Sequence, residues 1–216
     1  DLHLGADQPH SMAAFQYFIT TLAPQAEALY ILGAAQFQLG DVPAALKSFE
    51  AAAEVENEDT DILLSLGVAY HASKRFREAL RSYDSALKIN RKLKDAWFNE
   101  GVLHAQTGRL VDAAAAYKKA IEIDSKFAEA HFNLGEVYER SGQMSLAEKS
   151  YGSALKAREN YSDALVNLGN ISANAGRLSE ALDYYRKAIR SNPSDAEAHY
   201  NMGTAWLRSG QNKEAL

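Results

Sequence analysis

A period of 34 residues constrains this chain more than any other feature. Gly33, Gly67, Gly101, Gly135, Gly169 and Gly203 recur at that spacing without slippage. Ala45, Ala79, Ala113, Ala147, Ala181 and Ala215 keep the same register, as do Ala52, Ala86, Ala120, Ala154 and Ala188. Phe49, Tyr83, Tyr117, Tyr151 and Tyr185 form an aromatic column. A second glycine column runs through Gly40, Gly108, Gly142, Gly176 and Gly210, with Lys74 as its one exception. Such self-similarity marks a fold made of one small unit repeated, each unit burying its apolar face against its neighbours. The usual estimate of one or two globular domains from 216 residues therefore does not apply.

Each period reads as two helices. Over residues 128–141, Phe132, Leu134 and Tyr138 recur at helical spacing, and Gly142 follows where a left-handed residue ends a helix. From about residue 145 to 157, Leu146, Ala147, Tyr151, Ala154 and Leu155 repeat the pattern. Pro43 falls in the opening turn of a second helix, where its missing N–H is harmless. A glycine inside a helix costs about 1 kcal/mol against alanine, so six of them at one position need an offset. Close approach of the partner helix supplies it, with the aromatic and alanine columns filling the seam.

Composition narrows the function. No cysteine is present, which removes disulfides, thiolate metal sites and cysteine nucleophiles. No apolar run approaches the length of a membrane span. A net charge of −5 argues against general nucleic-acid binding. The chain starts at Asp1 with no basic-then-apolar leader and stops at Leu216 inside a helical pattern, so the expectation is a fragment cut at both ends.

The columns resemble the tetratricopeptide repeat (TPR) family. The resemblance implies an all-α solenoid, a right-handed superhelix of antiparallel helix pairs. Counted in the family's frame, the array runs from 26 to 216, with repeats at 26–59, 60–93, 94–127, 128–161 and 162–195 and a truncated one at 196–216. Residues 1–25 precede it as a separate segment. Within that segment, residues 12–23 read as one more amphipathic helix, either a cap or the second helix of a degenerate repeat. The family's closing proline is matched only at Pro193; Asn57, Arg91, Ser125 and Glu159 replace it elsewhere.

No catalytic or phosphate-binding motif is present, so no enzyme activity, cofactor or metal is expected of these residues. His131 and His199 share a repeat position but lie two repeats apart, and read as interface packing. Glu100 is the odd residue. It stands where other repeats carry Leu32, Leu66, Leu134, Leu168 and Met202, with His104 four residues on in place of Tyr70 and Tyr138. A self-satisfying Glu–His pair and a polar ligand notch are the two readings.

The resemblance further implies a concave groove lined by the first helix of each repeat. By position, its lining is Tyr30, Leu64, Phe98, Phe132, Val166 and Tyr200, followed by Ile31, Ser65, Asn99, Asn133, Asn167 and Asn201. One turn on come Ala34, Val68, Val102, Glu136, Asn170 and Thr204, then Phe37, His71, Ala105, Glu139, Ala173 and Leu207. The lining is apolar in the first three repeats and bears amides and carboxylates in the next two. A carboxamide donates and accepts at once, so the asparagines suit a peptide backbone. They are similar to the asparagine ladder of O-linked N-acetylglucosamine transferases; the other reading is a residue common at this position across the family. Clamps for acidic chaperone tails need basic groove residues. Here the matching positions are Glu27, Asp61, Asp95, Glu129, Asp163 and Glu197, placed in the first turn of each helix to meet its positive end.

The expected function is non-catalytic: a scaffold holding a peptide or helical segment of a protein partner, with Phe98, Asn99, Phe132, Asn133, Glu136, Asn167, Asn170, Tyr200 and Asn201 in contact. Nucleic acid and membrane insertion are not expected. Two alternatives stand beside it: the substrate-recruiting region of a larger glycosyltransferase, and a structural scaffold whose repeat ends stack between copies. Charge bears on the last. Residues 1–59 carry net −8 and residues 60–93 net +4, the latter including Lys74, Arg75, Arg77 and Arg81. These read as a solvated face or as a patch for an acidic end, which salt would weaken.

Overall fold

The structure, a computed structural model, describes residues 21–210. Among them are eleven α-helices: α1 (Ala23–Gln38), α2 (Val42–Val55), α3 (Thr60–Ala72), α4 (Phe76–Ile89), α5 (Lys94–Gln106), α6 (Leu110–Ile123), α7 (Ala128–Arg140), α8 (Met144–Ala157), α9 (Ser162–Asn174), α10 (Leu178–Ser191) and α11 (Ala196–Arg208). No strand occurs among the described residues. The helices form antiparallel hairpins grouped in two compact units, one ending at Asn99 and the other starting at Glu100. Most of the helix expected over residues 12–23 lies outside the described residues.

The seam of each hairpin has the expected close approach. A Cβ built on Gly135 would stand 2.5 Å from the ring of Tyr151, and one on Gly33 would stand 2.8 Å from Phe49. Both distances are shorter than any side chain tolerates, so only glycine lets the rings in. Tyr83, Tyr117, Tyr151 and Tyr185 are 0–2% exposed in consequence. In the first unit, Phe49 packs with Ala45, Leu46, Leu66 and Ala69. In the second, Tyr185 packs with Ala173, Ala181, Leu182 and Ala205. Gly152 differs from the seam glycines, because nothing lies within 4 Å of its missing Cβ. Gly152→Ala should therefore stabilise the protein by up to about 1 kcal/mol in chemical denaturation.

Left-handed residues end the first helices. Gly142 has φ +73°, and the chain beyond it bonds back through Gly142 N–H to Glu139 O and Gln143 N–H to Tyr138 O. Lys74 makes the same turn at φ +59°, with Arg75 N–H bonding Tyr70 O at 2.8 Å. Lysine carries a Cβ into a region that suits glycine. Lys74→Gly should raise stability by about 1 kcal/mol, read from the denaturation midpoint.

The turns between hairpins are held by side chains. Asn90 and Asp124 accept the N–H of Lys92 and Lys126 at 2.9 and 3.0 Å. Asp59 and Asp195 cap α3 and α11. Trp97, His131 and His199, at one repeat position, each place a ring nitrogen on the carbonyl six residues back, at 3.0–3.1 Å. Against a carbonyl that nitrogen must donate. The histidines thus fasten turns; the interface packing expected of them is not seen at His199, which is exposed, and His131 is half-buried.

Two expectations fail in the first hairpin. α1 begins at Ala23, ahead of residue 26, with Pro24 in its opening turn, so Glu27 lies beyond the first turn. Leu32 is 49% exposed, although Leu66, Leu134 and Leu168 are buried. No described helix precedes α1 to cover it.

Candidate functional site

In the first unit, one cavity of about 250 Å³ is bordered by Ala34, Phe37, Leu64, Ser65, Val68 and Asn99, with Phe49 and Gln38 completing it. The first six all belong to the rows expected to line a groove. Helical spacing puts them there: Ala34 and Phe37 lie one turn apart on α1, and Leu64, Ser65 and Val68 lie together on α3. The Tyr83 hydroxyl is buried and has no hydrogen-bond partner among the described residues. Asn99 is half-buried at the cavity edge. Phe98 is half-buried beside it on α5.

In the second unit, Asn133 and Asn167 are engaged with tyrosines of the preceding hairpin, Asn170 with a tyrosine of its own hairpin, and Asn201 with Asn170. Asn133 Nδ2 donates to the Tyr117 hydroxyl at 3.3 Å, and Asn167 bonds the Tyr151 hydroxyl. Tyr185 O–H and Asn201 Nδ2 both donate to Asn170 Oδ1, at 2.8 and 2.9 Å. All but the Tyr185–Asn170 bond tie hairpin to hairpin, a role the residue pattern did not assign them. Part of the signal was present: asparagine follows by sixteen residues every tyrosine of the aromatic column, but only Asn133 and Asn167 bond that tyrosine, Asn201 bonding Asn170 and the Tyr83 hydroxyl having no partner among the described residues.

Around that network stand the other candidates. Phe132 packs on the Tyr151 and Tyr161 rings, with centroids 5.5 and 5.0 Å away. The Arg158 guanidinium covers Tyr161 at 4.6 Å and pairs with Glu129. Tyr161 was not foreseen as part of this face. Tyr200 is 75% exposed, the barest aromatic side chain of the set. The Glu136 carboxyl is held above the usual carboxylate range, first by desolvation and then by the Glu139 carboxylate. Tyr151 O–H donates to Glu139 Oε2 at 2.8 Å. A cation brought to Glu136 would offset the Glu139 charge and favour the ionised carboxylate. Val166 departs from the expected lining. It is 4% exposed, because it packs with Leu165, Ala188 and Ala198 in the core. Ala173 departs likewise: it is 7% exposed, packed with Ala181, Leu182 and Tyr185.

Glu100 is 7% exposed and is the only charged side chain buried among the described residues. It and the half-buried His104 both take part in polar interactions. Of the basic residues expected as one patch, Arg75 is already paired, with Glu78 at 3.0 Å and Glu50 at 3.4 Å. Among the described residues, no helix is long and apolar enough to cross a membrane.

Known families agree with the repeat geometry. A tetratricopeptide repeat profile matches residues 13–58, 32–93, 132–195 and 166–216, and a TPR repeat profile matches 103–142. The chain belongs to the tetratricopeptide repeat family, a class of protein-interaction scaffolds, and its fold is the all-α TPR fold. No curated protein matches it. Among solved structures, PilF of Pseudomonas aeruginosa superposes with a TM-score of 0.79 at 17% identity, over 90% of this chain and 88% of that one. MamA gives 0.69 at 21% identity, over 77% and 97%. YrrB, described as a TPR protein with an unusual peptide-binding site, gives 0.65 at 25% identity, over 78% and 87%. The first two likenesses speak to fold alone.

Proposed function

We propose that this chain is a non-catalytic scaffold that holds a peptide segment of a protein partner against the faces of its first helices. The observation that carries this reading is the cavity in the first unit, whose border repeats the residues expected to line a groove. It suits an apolar side chain, with Asn99 offering a donor and an acceptor to the adjoining backbone. In the second unit, Phe132 and Tyr200 supply aromatic area, and Glu136 favours a basic side chain. The peptide-binding site of YrrB supports the same kind of activity here.

Affinity capture from a lysate of the organism that encodes the protein tests this. Asn133 and Asn167 also tie hairpins together, so Asn133→Ala/Asn167→Ala is compared with Tyr200→Ala and Val68→Glu, which disturb less bonding. Each variant is first checked by circular dichroism. The expected result is a partner retained by the wild type and lost from Val68→Glu and Tyr200→Ala. A partner retained equally by all the folded variants would remove the site from these faces.

A further inference from the structure

We propose that the cleft bordered by α6, α7 and α8 is a second docking site, for a partner segment that presents bulky apolar side chains flanked by carboxylates. The cleft encloses about 340 Å³ within the second unit. Leu134 and Tyr138 of α7 form its buried floor, Ile121 of α6 adds to it, and Leu146 of α8 stands at the rim, 41% exposed. On α7, residues 134 and 138 lie on the side opposite Phe132, Asn133 and Glu136, since each residue turns the helix by about 100°. The cleft is therefore a different surface from the one described above.

The chain's own repeats show what is unusual here. Leu146 occupies the position held by Glu78, Asp112 and Glu180 in other hairpins. Gly152 stands for Glu50, Asp84, Lys118 and Arg186. At these positions α8 has lost the charges that keep its siblings' outer faces wet, and it presents an apolar rim instead. An exposed leucine alone means little, but one over a formed cleft with an aromatic floor marks a contact surface.

Charge selects the occupant. Lys118 and Lys149 border the cleft, and neither forms an ion pair among the described residues. The Lys118 ammonium lies 5.6 Å from the Tyr138 ring centroid, over the floor. Of the other polar groups at the border, Glu122 pairs with Lys119 at 2.8 Å, the His131 ring bonds the Ser125 carbonyl at 3.0 Å, and the Ser153 hydroxyl donates to Lys149 O at 3.0 Å. Two ammonium groups around an apolar floor complement an acidic amphipathic helix, whose leucines enter while its glutamates meet the lysines.

Two synthetic helical peptides test the site. Both carry leucine at i, i+3, i+4 and i+7; one has glutamate at the remaining positions and the other lysine. Each is labelled and titrated by fluorescence polarisation against the whole chain, Leu146→Glu, Lys118→Glu/Lys149→Glu and Tyr200→Ala. Leu146→Glu installs the residue that Glu78 and Glu180 show to be compatible with the fold. The expected result is that the glutamate peptide binds the wild type and Tyr200→Ala alike, about tenfold or more tighter than either cleft variant, and tighter than the lysine peptide does. No binding of the glutamate peptide, equal binding to Leu146→Glu, or loss on Tyr200→Ala would each overturn the proposal. So would self-association in sedimentation that Leu146→Glu abolishes, because the occupant would then be a second copy.

Discussion

Raising the pH from 10 to 12 should unfold this protein cooperatively, with tyrosinate absorbance and loss of helical circular dichroism rising together. Four tyrosines of the aromatic column are 0–2% exposed. Burial pushes the hydroxyls of Tyr117 and Tyr185 up to about 12 from an ordinary 10, and pushes those of Tyr83 and Tyr151 higher still. The unfolded chain gives up these protons near pH 10, and the folded chain holds them. Their contribution to stability is therefore complete below pH 10 and drains away as the pH climbs through 12. A tenfold shift in a proton equilibrium is worth about 1.4 kcal/mol, so Tyr117 and Tyr185 alone withdraw on the order of 5 kcal/mol by pH 12. That is comparable with the whole stability of an ordinary domain. Exposed tyrosines such as Tyr200 ionise near pH 10 in any case; full tyrosinate absorbance from all eleven tyrosines around pH 10, with the helix signal intact, would contradict the buried seam.

Gly135→Leu should be among the most damaging single substitutions in the array, costing about 3 kcal/mol. Even the Cβ of alanine would meet the Tyr151 ring at 2.5 Å. That ring has nowhere to go: it is fully buried, Phe132 lies against it, and its hydroxyl is bonded to Glu139. Ala113→Leu should act in the same direction, since Ala113 has no exposed surface. Gly152→Ala is the internal control, a glycine of the same hairpin whose replacement should have the opposite sign. Chemical denaturation of the three variants reads the result, and a neutral Gly135→Leu would disprove the packing role of the glycine column.

The fold was legible because the residues that build it recur. Small residues at fixed places imply close helix approach, and left-handed glycines imply turns. The turn at Lys74 shows that the register overrides even a residue ill suited to it. The first hairpin was less legible, since α1 extends ahead of the frame set by the glycine column. Part of the cavity border was expected as well: the resemblance to the family put Ala34, Phe37, Leu64 and Val68 in the lining rows, and helical spacing sets each pair one turn apart. What it hid was how the polar side chains divide between holding the array together and facing outward. Asn133, Asn167 and Asn201 looked alike in one column. Their bonds to tyrosines and to Asn170 depend on the neighbouring hairpin, which a single repeat does not reveal. Val166 likewise looked like lining until Leu165, Ala188 and Ala198 closed around it.

The most direct test of the central claim is amide chemical-shift mapping of the isotope-labelled chain as the captured partner's binding segment is added. The expected result is a set of perturbed residues on the first helices, including Val68 and Asn99 in the first unit and Asn133, Asn167 and Tyr200 in the second. Perturbations confined to the second helices α2, α4, α6, α8 and α10, with the first helices silent, would contradict it.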